Sequence, residues 1–339
     1  MKRTMIAAFC VAATFAQAAG SAWTIVDLGA LGPAGSTAAA INGTGDVAGS
    51  SRARDASGAP TGVHGFLHRG GAMYDIGVPA PSNTVQINAM GSAGTIAASG
   101  DFGMGYLWKD GQWSPMNFHG TPQAINAFDQ VVGHFPLGAG ERAFLYANGH
   151  AEELGTLGGL NSRANAINDA GLVVGSSTLA GESATHAFIY ENGAMRDLGT
   201  LGGTYSTASA INSQGIVVGK STDASGRTLA FIYDAGGMRP LLNMPGAQSA
   251  IGISDRGAVV GLIDDGAFLY DSGAFTRLDQ LPEVRAAGWA AIFPVAVNER
   301  GWITGWGWHA DGRPGSAFLM IPPAPLKMMW STRLARRGL

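Results

Sequence analysis

The sequence predicts an all-β protein, a seven-bladed β-propeller built from four-stranded antiparallel blades. A sequence unit recurs along the chain with a spacing of 38 to 46 residues between equivalent positions. Each unit holds short strand patterns separated by turn signals, and this combination is typical of propeller blades. The last unit lacks its final strand, and a matching strand precedes the first unit, which favours a closed ring.

The clearest copy of the unit is residues 161–203. Its four strand patterns, named a to d in chain order, are Ser162–Ile167, Leu172–Gly175, His186–Tyr190 and Ala194–Leu198. A tight turn with Asn168 first and Gly171 last joins strands a and b, because Asn can bond its own backbone there. Asn192-Gly193 joins strands c and d and is the strongest short hairpin signal.

Two marker positions define seven repeats. The first marker follows strand a, comes after a β-branched residue, and is Asn in all repeats except the sixth: Asn42, Asn88, Asn126, Asn168, Asn212, Ser254 and Asn298. The second marker is the aromatic residue of strand c: Phe66, Tyr106, Phe144, Phe188, Phe231, Phe268 and Phe318. The residue two before the first marker is small in every repeat but the second, which has Gln86, and strand a is therefore expected nearest the crowded ring axis.

The amino-terminal segment supplies the strand that the last repeat lacks. Residues 23–31 match strand d, with Asp27-Leu28-Gly29 corresponding to Asp197-Leu198-Gly199. Repeat seven has strands a, b and c, and Pro322-Pro323 then ends it. We therefore expect Trp23–Leu28 to be the outer strand of the last blade, which would remove an exposed sheet edge.

Both ends of the chain are predicted to lie outside the propeller. Residues 1–22 have a basic start, an apolar run too short to span a membrane, and a small-residue cleavage site, which together indicate a signal peptide. The tail, residues 322–339, is expected to be disordered and has no apolar span. The domain plan is thus a signal peptide, one propeller domain over residues 23–321, and the tail, in a protein secreted by a bacterium.

Composition excludes several classes. The sole cysteine, Cys10, lies in the predicted signal peptide, so the mature chain has no disulfide or thiol chemistry. Without Lys2 and Arg3 the chain carries 19 basic and 24 acidic residues, and the resulting net charge of −5 with no basic stripe argues against nucleic acid. We expect a monomer with no stable transmembrane segment in the mature chain.

Repeats four and five resemble a known family. The segments that carry the resemblance are Asp197–Gly203, Ala166–Asn168 and His186-Ala187-Phe188. They are similar to the bacterial extracellular HAF-repeat family, which is named for its His-Ala-Phe triplet, and the resemblance covers roughly residues 23–321. His64-Gly65-Phe66 is close to the triplet, whereas other repeats have Arg142, Leu229, Gly266 or Ser316 in the His place. The resemblance implies export and repeats, and no established activity.

The sequence shows no convincing catalytic or metal site. His64 and His186 hold equivalent places three repeats apart without a third copy, so we expect a structural role and no bound metal. Asp264 and Asp265 are adjacent on an extended chain and point in opposite directions. The Gly-rich stretches 154–159 and 198–203 are not followed by a helix that could offer its amino terminus to phosphate. We therefore expect no catalytic residue and no cofactor.

The strongest candidate for function is the rim that carries the b–c and d–a loops. These loops vary in length, and variable loops on a rigid ring are where propellers place binding. The richest loops are 51–63, 278–293 and 306–315, which a closed ring would bring together. Exposed aromatic and charged side chains suit a sugar or protein surface. The candidate ligand-binding residues are Trp289, Trp306, Trp308, His309, Arg52 and Arg54.

Two function classes remain open on these grounds. The favoured one is a secreted, non-catalytic binding or scaffold module for extracellular or cell-surface glycans or proteins. The alternative is a secreted hydrolase or lyase that uses the variable-loop rim, because a fold alone does not settle function. A third interpretation of the long loops is that their tryptophans merely cover the blade edge.

Overall fold

The structure is a computed structural model and describes residues 22–55, 57–241 and 247–323. The predicted signal peptide up to residue 21 and the predicted tail from residue 324 onwards lie outside the described residues. Strands hold 64% of the described residues and helices 3%, so the predicted all-β class is confirmed.

The secondary structure is a succession of short strands. The first thirteen are β1 (Thr24–Gly29), β2 (Ser36–Ile41), β3 (Val47–Arg54), β4 (Pro60–Arg69), β5 (Ala72–Gly77), β6 (Val85–Met90), β7 (Ile96–Gly100), β8 (Met104–Lys109), β9 (Gln112–His119), β10 (Thr121–Ile125), β11 (Val131–Leu137), β12 (Gly140–Ala147) and β13 (His150–Glu153). The next eight are β14 (Gly158–Ile167), β15 (Val173–Leu179), β16 (Thr185–Glu191), β17 (Ala194–Gly199), β18 (Gly202–Ile211), β19 (Val217–Asp223), β20 (Thr228–Asp234) and β21 (Gly237–Pro240). The remaining strands are β22 (Ala247–Ile253), β23 (Val259–Ile263), β24 (Gly266–Asp271), β25 (Ala274–Arg277), β26 (Trp289–Val297), β27 (Ile303–His309) and β28 (Ser316–Ile321). Helix α1 (Pro282–Ala286) interrupts the predicted loop 278–293, and a 3₁₀ turn at Asp101–Gly103 follows β7.

The strands form a β-propeller with four-stranded antiparallel blades. Five four-stranded sheets are separate: β2–β5, β6–β9, β10–β13, β22–β25, and β26-β27-β28-β1. The eight strands β14–β21 form one sheet, so the prediction of seven separate blades is wrong and five are found. The cause is a parallel bridge between Thr185 and Tyr205, which joins β16 to β18.

The amino-terminal strand completes the last sheet, as predicted. Strand β1 pairs antiparallel with β28, with Asp27 opposite Phe318 and Gly29 opposite Ala317. The β16–β17 pair has the same register, with Asp197 opposite Phe188 and Gly199 opposite Ala187. Strand β1 therefore occupies the place of an ordinary strand d, although it comes from the opposite end of the chain.

Each repeat buries its strand-c aromatic ring between neighbouring sheets. The six phenylalanines at this position have no exposed surface, and the tyrosine is 3% exposed: Phe66, Phe144, Phe188, Phe231, Phe268, Phe318 and Tyr106. In repeat one the ring lies against Gly49 of the adjacent strand, where a Cβ would overlap the Thr37 carbonyl oxygen and the Phe66 ring. The recurring Gly at the centre of strand b thus makes room for the aromatic core.

The marker asparagine closes its own turn and also reaches the next repeat. The Asn168 Oδ1 atom accepts hydrogen bonds from the N–H groups of Ala170 and Leu172 at 3.1 and 3.0 Å, as the turn pattern predicts. Its Nδ2 atom donates to the Asn212 carbonyl oxygen at 3.0 Å. Equivalent bonds run from Asn126 to Asn168, from Asn212 to Ser254, and from Asn298 to Asn42. The last of these bonds joins the final repeat to the first.

In repeat two the structural equivalent of the marker is Gly91, and the assignment to Asn88 is wrong. The Gly91 N–H donates to the Thr95 carbonyl oxygen, as the Asn42 N–H does to Asp46. Asn88 instead donates from Nδ2 to the Pro122 carbonyl oxygen at 2.7 Å. Once the register is corrected, the residue two before the marker is Ala89, so this position is small in all seven repeats.

A serine on strand a fastens one repeat to the next. The Ser206 hydroxyl accepts the Ala187 N–H at 2.7 Å and donates to the Gly199 carbonyl oxygen at 2.6 Å. Ser162 makes the same pair of bonds with Ala143 and Gly155. Ser36 makes them with Ala317 and Gly29, the end of β1. We call this arrangement the serine staple. The staple at Ser36 joins the last repeat to the first with the same two bonds that join interior repeats.

We expect deletion of residues 23–31 to lower the free energy of unfolding by at least about 3 kcal/mol. The deletion removes the buried Leu28 and leaves β28 as an unpaired edge. A circular permutant that carries these residues after Ile321 restores the strand and should recover the lost stability. Thermal and urea unfolding of the three proteins measures this, and equal stability of the deletion and the parent would contradict the closure.

We expect Ser206→Ala and Ser36→Ala each to destabilise the protein by about 1–3 kcal/mol, because a buried N–H loses its partner. Ser209→Ala is the matched control, since Ser209 lies on the same strand as Ser206 and is half-buried. Urea unfolding should give similar losses for the two staple variants and a smaller one for the control. A loss at Ser206 with none at Ser36 would show that the ring is not closed by this contact.

Candidate functional site at the seam of the ring

A cavity of about 280 Å³ opens where the last repeat meets the first. It lies on the rim of the b–c and d–a connections, where the sequence places the candidate binding face. We call it the seam cavity, and its walls come from repeats one and seven with a single residue from repeat two: Ala34, Gly35, Ser36, Thr37, Ser50, Ser51, Arg52, Val63, Gln86, Trp306, Trp308, Pro314 and Gly315. Three of the six predicted residues, Arg52, Trp306 and Trp308, therefore share one site.

One wall of the seam cavity is aromatic. Trp306 stacks on Phe293 with ring centroids 4.5 Å apart, and Trp308 meets Trp306 edge to face at 5.5 Å. Both tryptophans point to the same side of β27 because they are two residues apart on one strand. Phe293 faces Trp306 across the β26–β27 pair and fixes the position of its ring. Trp308 remains 52% exposed and offers its ring to a ligand.

The opposite wall is polar and carries one charged side chain. The hydroxyls of Ser50 and Ser51 are occupied by backbone groups, since each donates to one carbonyl oxygen and accepts from one N–H. Thr37, Gln86 and Arg52 are exposed at the cavity. The Gln86 Nε2 atom donates to the Ile87 carbonyl oxygen. The Gln86 amide oxygen makes no hydrogen bond with the described residues.

Arg54 does not belong to the seam cavity, and its assignment to the binding site is not supported by its position. Its guanidinium bonds the carbonyl oxygen of Gly58 within its own loop. Strand β3 ends at Arg54, two residues beyond Arg52, and both side chains are exposed. Arg52 lies beside the cavity wall, and Arg54 lies beyond it.

Trp289 and His309 are core residues, which corrects their assignment to an exposed binding surface. They are 4% and 5% exposed, and their rings pack with centroids 4.2 Å apart. Trp289 also contacts Phe318 and joins the apolar cluster that includes Val284 of helix α1. The predicted loop 278–293 folds as α1 and the start of β26, and this places Trp289 between sheets rather than on the rim.

Beneath the seam, the buried Ser316 and His309 and the exposed Asp27 form a polar cluster that is not a catalytic triad. The Ser316 Oγ atom lies 2.8 Å from His309 Nε2 and 2.6 Å from Asp27 Oδ1. In a triad the acid would hold the opposite ring nitrogen, Nδ1, but that atom is buried without a hydrogen bond among the described residues. Arg313 reaches Asp27 at 3.2 Å. The cluster ties β1 to the last repeat.

The recurring acids of strand d pair with strand c. His186 Nδ1 lies 2.8 Å from Asp197 Oδ2, and His64 Nδ1 lies 2.9 Å from Asp75 Oδ2. Arg142 and Glu153 form the corresponding pair in repeat three. These acids are thus partners of the strand-c residue. Within the described ranges no three His, Cys, Asp or Glu residues are arranged to hold a metal ion.

Asp264 and Asp265 have separate partners. Asp264 bonds Gln248, and Asp265 lies 3.1 Å from Arg277. Arg277 also binds Asp279 at 2.7 Å. Burial of Asp279 favours its neutral form, but the hydrogen bonds and charge of Arg277 outweigh this and hold the pKa of Asp279 below its ordinary value. The two adjacent acids therefore do not share a proton or a ligand.

Comparison with known structures supports the fold. The β-propeller domain of the Trilobed protease from Pyrococcus furiosus has a TM-score of 0.58 and 13% identity, over 88% of this chain and 98% of that domain. The Pyrococcus horikoshii acylaminoacyl peptidase has a TM-score of 0.55 and 14% identity, over 84% of this chain and 51% of that one. A prolyl endopeptidase has a TM-score of 0.55 and 11% identity, over 86% and 50%.

These comparisons define the class of protein as a β-propeller and leave its function open. This chain spans about half the length of the two peptidases. No protein-family model and no curated protein matches the chain. Among the described helices none is long and apolar enough to cross a membrane.

We expect Trp289→Ala to cost about 3–5 kcal/mol of stability and Trp308→Ala less than about 1 kcal/mol. Trp289 fills a buried cluster, so its loss leaves a cavity, whereas Trp308 is half exposed. Chemical unfolding of the two variants, followed by far-ultraviolet circular dichroism, compares the losses. Equal stability of both variants would contradict the burial of Trp289.

Proposed function

We propose that the protein is a secreted, non-catalytic binding module that holds an extracellular ligand in the seam cavity. The observation that carries this proposal is the half-exposed Trp308, which contacts Trp306 edge to face and lines the same cavity as Arg52. An aromatic ring gives a large contact area at a small entropic cost, and Arg adds a directional contact. The rigid sheets on both sides of the seam hold these groups in place.

The residues that line the seam cavity favour binding over catalysis. Among them there is no acid, histidine or cysteine that could transfer a proton or attack a substrate. The hydroxyls of Ser36, Ser50 and Ser51 are occupied by backbone groups and have no neighbouring base. The peptidases of similar fold are about twice as long as this chain, so their activity is not a guide to this site.

We infer that the eight-stranded sheet acts as two blades and that the ring has seven units. Strands β14–β17 and β18–β21 each repeat the antiparallel order of a separate sheet. The parallel bridge that joins them has a counterpart between Val63 and Thr84, at the junction of repeats one and two, where the sheets remain separate. The Thr185–Tyr205 bridge is therefore a feature of the junction between repeats.

The predicted signal peptide supports export, and membership of the HAF-repeat family agrees with it. Both remain proposals, as does a monomeric state. Amino-terminal sequencing of the mature protein from a bacterial culture tests export directly, with a start at residue 19 or 23 expected. A mature chain that begins at Met1 inside the cell would contradict it.

A glycan array and a pull-down with extracellular proteins test the binding function. Trp308→Ala should weaken capture of the ligand by about 2 kcal/mol, near thirtyfold, because an aromatic anchor is lost. Phe102→Ala is the matched control, since Phe102 is 91% exposed in the b–c connection of repeat two and lies away from the cavity. Equal binding by parent and Trp308→Ala, or release of product from a glycan, would overturn the proposal.

A further inference from the structure

The chemical character of the seam cavity is set by Arg52. Of the thirteen residues that line the cavity, Arg52 is charged and the other twelve are uncharged. Within the described residues its guanidinium has no ion pair or hydrogen bond. Seven other arginines pair with a carboxylate of this chain: Arg69, Arg142, Arg163, Arg227, Arg239, Arg277 and Arg313. Arg52 is thus positioned to accept a carboxylate from outside the chain.

A guanidinium is suited to a carboxylate because its planar fork makes two parallel hydrogen bonds. Across the seam, Trp308 offers an exposed ring, and rings of this kind pack against flat apolar surfaces. Thr37 and Gln86 add a hydroxyl and an amide oxygen to the same cavity. The ligand must therefore combine a carboxylate, a flat apolar face and several hydroxyls within a small volume.

A uronic acid unit has this combination. One face of its ring is lined by C–H groups, its carboxylate projects from the ring edge, and its hydroxyls can meet Thr37 and Gln86. The volume of about 280 Å³ is just below the usual range of ligand sites, about 300–1,000 Å³, and suits one or two sugar rings. The side chain of an acidic peptide offers a carboxylate without the flat face, so the aromatic wall favours the sugar.

We propose that the seam cavity binds an acidic saccharide, with Arg52 on the carboxylate of a uronic acid unit and Trp308 against its ring. This deepens the proposed function and rests on it. Arg52 lies on β3 of the first repeat, whereas Trp308 lies on β27 of the last, so the two contacts come from opposite ends of the chain. Closure of the ring by β1 is then a condition for binding.

Calorimetric titration with uronic acid trimers tests the proposal. The probes are trigalacturonate, triglucuronate and trimannuronate, each compared with its methyl ester, which keeps the ring and removes the charge. The parent protein should bind at least one acid trimer about tenfold more tightly than its ester, with the preference falling as salt rises. Arg52→Gln should bind acid and ester equally, and Arg52→Lys should recover part of the preference because it keeps the charge without the fork.

Two further variants separate the possible outcomes. Arg54→Gln, the matched control two residues along the same strand, should bind as the parent does, and Trp308→Ala should weaken acid and ester by the same factor. Equal binding of acid and ester by the parent, or a preference that survives Arg52→Gln, overturns the acidic-saccharide proposal while the binding function stands.

Two other results would change the assigned class of ligand or remove saccharide binding. Binding of triglutamate as tightly as any uronide, with the same dependence on Arg52, would assign the cavity to acidic peptides and overturn the proposal. Failure of the parent to bind any acid trimer or ester, together with no capture on the glycan array, would remove saccharide binding altogether and contradict the proposed function for this class of ligand. Circular dichroism of each variant confirms that the fold is retained.

Discussion

The structure depends on supplying a partner to the buried N–H group that precedes each strand-c aromatic ring. This group lies at a junction between sheets, where an unpaired N–H is costly. At three junctions the hydroxyl of a serine from the following repeat accepts a hydrogen bond from this N–H. The same hydroxyl donates to the carbonyl oxygen of the Gly that follows strand d. One serine side chain therefore satisfies an N–H group and a carbonyl group of one repeat and holds the next repeat against it. The placement of β1 depends on the same contact, because Ser36 bonds both Ala317 of β28 and Gly29 of β1.

The same contact explains why a functional site can lie at the seam of the ring. The Ser36 hydroxyl accepts a hydrogen bond from the Ala317 N–H and donates to the Gly29 carbonyl oxygen. It therefore joins the first repeat to two strands of the last sheet, β28 and β1. Ser36 also lines the seam cavity, as does Gly315, whose carbonyl oxygen accepts the Ser36 N–H at 3.2 Å. A cavity between two chain ends would otherwise open with any fraying of the termini. The cluster of Asp27, Ser316 and His309 beneath the rim adds a second contact between β1 and the last repeat at the same place.

The fold class, the turns and the closing strand could be predicted because each leaves a local sequence signal that recurs. The serine staple was missed, although a serine seven residues after the Gly of strand d recurs at Ser36, Ser162 and Ser206 and could have revealed it. The marker of repeat two was misplaced because Asn88 has the expected residue type, whereas Gly91 has the expected hydrogen bonds. For the site, an aromatic side chain in a long loop does not reveal which way it faces. Trp308 is exposed on β27. Trp289 is buried beside Val284 of helix α1, and the sequence pattern did not indicate this helix.

Closure of the ring through β1 is the central claim, and amide hydrogen exchange measures it most directly. Peptides that cover β1 and β28 can be compared with peptides that cover β17 and β16, which have the same register in the interior of the ring. If β1 is an integral strand, its amides and the Ala317 N–H should exchange as slowly as those of β17 and the Ala187 N–H, because both sets open with the surrounding sheets. Rapid exchange over Thr24–Gly29 and at Ala317, with slow exchange in β16 and β17, would contradict the account and would leave the seam cavity without a fixed wall.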